Sequence, residues 1–185
     1  MNTRKGIMGA ILMLSSLSAM ASVDWAITST QYNETVVDQF GKTLRFFDDL
    51  INNKIVVINF IFTDCASSCP LSTAIFRQVQ KQLGKQPVQL ITISVDPDND
   101  TPERLLAFSN KFGAGPGWVF VTGDHAAISG LLKNFGVYSA DRNKHSNMVI
   151  VGNDTKHQWT RLYGLPQADD IISALNKIAG AKRNY

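Results

Sequence analysis

The chain reads as an α/β domain, a central mixed sheet flanked by helices with an N-terminal β-hairpin. Three observations carry this. Apolar, β-branched runs of strand length alternate with segments of helical periodicity. The boundaries between them hold the proline, threonine, aspartate and glycine residues that start and stop helices. The last two strand-like runs flank a short polar turn, which puts an antiparallel pair at the end of a mostly parallel sheet.

The elements follow in order. Residues 36–46 read as a short hairpin with Gly41 in its turn. Residues 55–62 are nearly all apolar, as suits a central strand buried on both faces. Pro70 fits the first turn of a helix, in which Leu71, Ile75, Val79 and Leu83 recur at helical spacing before Gly84 stops it. Residues 88–95 are a second strong strand, and 96–100 a loop. Thr101-Pro102-Glu103 caps a helix running to about residue 112. Residues 118–121 are a third strand, and Asp124 caps a helix to about residue 135. Residues 148–151 and 157–161 pair around the turn Gly152-Asn153-Asp154, and a helix over 168–179 closes the chain. With no repeats, low-complexity tracts or linkers, this is one domain over residues 36–185. The stretch Gly113-Ala114-Gly115-Pro116-Gly117 reads as a turn without a functional role.

Residues 1–21 read as a cleavable bacterial signal peptide: basic Arg4 and Lys5, an apolar run softened by Ser15, Ser16 and Ser18, and the small-x-small site Ala19-Met20-Ala21. The run is short for a membrane span. The mature protein is therefore expected in the periplasm, starting with a polar arm at residues 22–35. Losing Arg4 and Lys5 and no acid lowers the formal charge from +3 to +1. That leaves no basic field to recruit nucleic acid.

The chemistry sits at Cys65 and Cys69, the 2 cysteines of the chain, where a buried strand hands over to a proline-started helix. Helix N-terminal N–H groups favour thiolate over thiol. Thiolates exchange disulfides and bind soft metals such as Cu(I). An oxidising compartment tends to pair the two sulfurs unless a metal or a reductase intervenes. Asp64 is expected to raise the pKa of Cys65 by like-charge repulsion. His125 and His157 read as surface residues, Trp118 and Trp159 as core or rim aromatics. Asp96 and Asp100 stand between a turn-forming role and a partner-docking or ligand-tuning one.

The order of elements, with two cysteines after the first core strand, resembles a thioredoxin-like fold. Two features depart from thioredoxins. The spacing is C-x-x-x-C, and the segment Lys144-His145-Ser146-Asn147-Met148 stands where thioredoxins carry a proline facing the cysteines. Four motifs then resemble the Sco/SenC family of copper-handling cytochrome c oxidase assembly proteins. They are Phe62-Thr63-Asp64-Cys65-Ala66-Ser67-Ser68-Cys69-Pro70, the run from Ile93 through Asp96-Pro97 to Asp100-Thr101-Pro102, the run from Trp118 to Gly123, and His145-Ser146 before a strand and hairpin. Ala66 departs, standing where the family usually has proline.

The resemblance implies a periplasmic metallochaperone that holds copper, as Cu(I) or Cu(II), through Cys65, Cys69 and His145. It implies a redox-active Cys65–Cys69 pair that excludes copper when oxidised. Its partners are then a cuproprotein client, such as the copper-site subunit of cytochrome c oxidase, and a periplasmic thiol reductase or another copper chaperone. Membrane contact comes only through the client. The alternative is a thiol–disulfide oxidoreductase that reduces the cysteines of a copper-site protein. A thiol peroxidase fits poorly, because Thr63 lies two residues before Cys65 where peroxiredoxins place threonine three before. A structural zinc site lacks a fourth ligand at motif spacing.

Overall fold

The computed structural model describes residues 27–180; the expected signal peptide lies outside them. In chain order the elements are α1 (Ser29–Tyr32), β1 (Thr35–Asp38), β2 (Thr43–Arg45), β3 (Ile55–Ile61), α2 (Ser68–Leu83), β4 (Val88–Ser94), α3 (Pro102–Lys111), β5 (Trp118–Thr122), α4 (His125–Phe135), β6 (Met148–Asn153), β7 (Gln158–Tyr163) and α5 (Ala168–Ala179). A π-helical turn spans Phe46–Ile51, and 3-10 turns span Arg142–Lys144 and Asp154–Lys156. Among the described residues no helix is long and apolar enough to cross a membrane.

The strands form one sheet in the order β2-β1-β5-β4-β3-β6-β7. β3, β4 and β5 are parallel; on one side β6 pairs antiparallel with β3 and β7 with β6, and on the other β1 pairs antiparallel with β5 and β2 with β1. This is a mixed sheet, as expected, in the thioredoxin-like arrangement that the resemblance implies; only its centre is parallel, where the alternation predicts a mostly parallel sheet, because hairpins flank it on both sides. The two-residue period of β3 separates its faces. Val56, Ile58 and Phe60 pack with α1, the π-turn and α4, while Val57 and Ile61 pack with α2, α3 and α5. Asn59, fully buried on β3, is satisfied by a polar chain: Trp118 Nε1 donates to Thr92 Oγ1, Thr92 donates to Asn59, and Asn59 donates to Ser72 on α2. The helix starts fall where capping chemistry puts them. Thr101 accepts from Arg104 N, and Asp124 accepts from Ala127 N.

Three local readings change. The segment expected as a polar arm carries α1, and Ile27 and Tyr32 explain why it packs. Ile27 and Tyr32 are buried, and the Tyr32 ring lies 4.7 Å from Phe135. Phe46 does not end a free hairpin; it opens the π-turn and is buried against the same Phe135. The final turn falls at Asp154–Lys156 rather than at Gly152, with His157 left-handed at φ +51°. Gly152 instead lies within β6 opposite Trp159, whose ring covers it so closely that a Cβ there would come within 1.9 Å. The glycine is required by packing, not by a turn.

Gly113–Gly117 also has a structural account. The Gln80 side chain accepts from Gly115 N and donates to the Gly115 and Pro116 carbonyls, fastening this loop to α2.

Candidate metal and thiol centre

β3 ends at Ile61, and residues 62–67 turn the chain into α2. Cys69 is the second residue of that helix and is 1% exposed; Cys65 sits outside it and is 9% exposed. His145 follows the 3-10 turn before β6. Because β6 pairs with β3, its approach brings His145 over the cysteine loop. His145 Nε2 lies 3.9 Å from Cys69 Sγ. The imidazole also stands edge-on to Phe62, with ring centroids 6.1 Å apart.

The two sulfurs differ in proton affinity. Burial pushes Cys65 up, but hydrogen bonds from the Cys69 and Ser67 side chains and backbone outweigh it, and its pKa falls to about 7. Burial, and then donation to Cys65, push Cys69 up to about 12. Thus the Cys69 and Ser67 side chains, helped by their backbone amides, favour a thiolate at Cys65, not at the cysteine inside the helix. The expected repulsion from Asp64 is absent from Cys65, because Arg104 Nη2 pairs with Asp64 at 2.5 Å. Burial lowers the pKa of His145, partly opposed by the Ser146 backbone, so the ring is neutral and free to ligate at pH 7.

This split predicts a reactivity profile. Iodoacetamide should label Cys65 at a rate that rises with pH through a midpoint near 7 and levels above it, because the thiolate fraction then saturates. Cys69 should stay unlabelled through mildly alkaline pH. Peptide mass spectrometry across pH reads both; equal labelling of the two cysteines would contradict the split.

Asp96 and Asp100 are buried, at 8% and 1% exposure. Asp100 accepts from Thr63 N, Thr63 Oγ1 and Ser94 Oγ, so it fixes the loop two residues before Cys65. Burial pushes its carboxyl up, and the bonds from Ser94 and Thr63 pull it back. Asp96 accepts from Arg142 and Asn99. Both carboxylates therefore hold loops of this site from inside. Sequence reading missed Arg142, the partner of Asp96, and Arg104, the partner of Asp64; both lie far along the chain from the acids they meet. His125 is exposed and pairs with Asp98, His157 is exposed at the far hairpin, and neither joins the site. Trp118 is core, and Trp159 is half-buried over Gly152.

The donor set suits a soft metal: two thiols and a neutral imidazole. Metal–thiolate and metal–imidazole bonds of about 2.3 and about 2 Å, meeting at an open angle, span roughly the distance between Cys69 and His145. The other ring nitrogen, Nδ1, is buried and makes no hydrogen bond among the described residues. Among the described residues no three such side chains converge on one ion as they stand.

The SCO1/SenC family model matches residues 28–180. A SCO1 protein homolog of Bacillus subtilis is 34% identical over 161 residues, covering 80% of this chain and 82% of the relative. The structure of BsSco, a member of the Sco family of cytochrome c oxidase assembly proteins described with a disulfide switch, superposes with a TM-score of 0.67 at 29% identity, over 80% of this chain and 92% of that one. Copper-bound ScoI of Bradyrhizobium japonicum shares the fold, with a TM-score of 0.65 at 24% identity over 78% and 96%.

Proposed function

The chain belongs to the SCO1/SenC family, and on that footing we propose that it is an exported, periplasmic metallochaperone that holds copper through Cys65, Cys69 and His145 and serves the assembly of cytochrome c oxidase or another cuproenzyme. The observation that carries this is the buried approach of His145 Nε2 to Cys69 Sγ at 3.9 Å, beside a second, more acidic thiol. Copper is the metal held by the ScoI structure of the same fold, and two sulfurs with one imidazole suit it. Export rests on residues 1–21, ahead of the domain at 36–185 and the packed segment before it.

Copper is the cargo, and this chain's residues set the terms of loading. Cys65 is about half deprotonated at neutral pH, whereas Cys69 keeps its proton until a cation displaces it. Loading therefore releases a proton and weakens as pH falls. Oxidation of Cys65 and Cys69 to a disulfide removes both sulfurs from the donor set, so copper and disulfide exclude each other.

The unequal thiols also favour a second reading, thiol–disulfide exchange with a copper-site protein. There Cys65 attacks and Cys69 resolves, and His145 is dispensable. An anaerobic Cu(I) competition titration of the reduced protein separates the two. The metallochaperone reading expects one tight copper per chain, weakened at least 10-fold in His145→Ala. No tight copper with both thiols reduced would overturn it in favour of exchange.

A further inference from the structure

The side-chain hydrogen bonds of the loop that delivers His145 mostly turn inward. Ser139 accepts from Asp141 N, Asp141 accepts from the Asn143 backbone and side chain, and Lys144 pairs with Asp141. His145 itself is loosely tied: its backbone N–H reaches Arg142 O at 3.5 Å, and Nδ1 makes no hydrogen bond among the described residues. Arg142 points the other way. Its guanidinium donates to Asp96 and lies over the Phe62 ring, 5.1 Å from the centroid. Phe62 is the same ring that His145 meets edge-on. Asp96 belongs to the β4–α3 loop, whose Asp100 holds Thr63. One loop thus carries both halves of the site, the cysteine side through Asp100 and the histidine side through Asp96 and Arg142.

We propose that Arg142 is the positioning residue of this centre: by clamping Asp96 and stacking on Phe62 it holds His145 over Cys69. A planar guanidinium suits this double contact, which an ammonium cannot reproduce. The proposal rests on the copper reading for its metal readout and stands apart from it in a copper-free one.

The test uses the reduced protein carrying Arg142→Gln, His145→Ala or both, with Asp96→Asn as a second route to the same break. Arg142→Gln should weaken Cu(I) binding about 10-fold, at the low end of what outer contacts of a metal ligand contribute. It should add nothing once His145 is alanine, because its effect runs through that ring. Without copper, NMR of the His145 ring protons should show resonances displaced by Phe62 in the native protein. In Arg142→Gln and Asp96→Asn they should move to the position of the exposed His125 and His157. An equal loss of copper affinity in the His145→Ala background, or unmoved ring resonances in both variants, would overturn the proposal. If the native protein binds no copper yet the ring resonances move, the copper reading fails and the positioning role stands.

Discussion

Cys69→Ser should abolish tight Cu(I) binding, by at least about 100-fold, above the range that outer-shell contacts contribute. Cys69 lies between the other two donors, hydrogen-bonded to Cys65 and 3.9 Å from His145. A serine oxygen there is a hard donor where a soft one is required. The fold should survive, because serine is smaller and the site is a helix start. The same variant should also change exchange chemistry. With glutathione disulfide, Cys65 thiolate attacks one sulfur and releases a glutathione thiolate; without Cys69 the mixed disulfide cannot be resolved by closing the pair. Competition titration and intact mass together check this. Native-like copper affinity in a folded Cys69→Ser protein would remove the site.

Asp100→Ala should cost about 2–4 kcal/mol of stability. The carboxylate is 1% exposed and serves Thr63 N, Thr63 Oγ1 and Ser94 Oγ. Truncation leaves buried donors unpaired, and alanine admits no replacement acceptor. Asp100→Asn keeps the volume and one acceptor, so it should cost roughly half as much. Urea unfolding with unchanged slope measures both. A loss below about 1 kcal/mol for alanine would show that Thr63 does not depend on Asp100. The alanine variant should also broaden the pH profile of Cys65 labelling, since Thr63 sets the start of the cysteine loop.

What the sequence made legible was whatever has a local period or a local cap. β3 was readable as an apolar run, α2 by its spacing of Leu71 to Leu83, and α3 and α4 by Thr101 and Asp124. The cysteines were legible because their strand-to-helix position is itself local. His145 was reached through motif order, because its contact with Cys69 spans 76 residues. Arg142 and Arg104 stayed hidden for the same reason: their partners are 46 and 40 residues away. Nothing around either arginine marks which acid it meets. The sequence argument about Asp64 treated the charge as unpaired, and the Arg104 contact reverses that premise. Ile27 and Tyr32 misled in the other direction, since these buried side chains in a polar stretch pack the segment into the core beside Phe135.

X-ray absorption at the copper edge of the reduced, Cu(I)-loaded protein, beside the loaded His145→Ala variant, tests the central claim most directly. The account predicts two sulfur scatterers and one imidazole nitrogen per copper, with the nitrogen lost in His145→Ala and both sulfurs kept. A spectrum with no sulfur, or one that His145→Ala leaves unchanged, would contradict it.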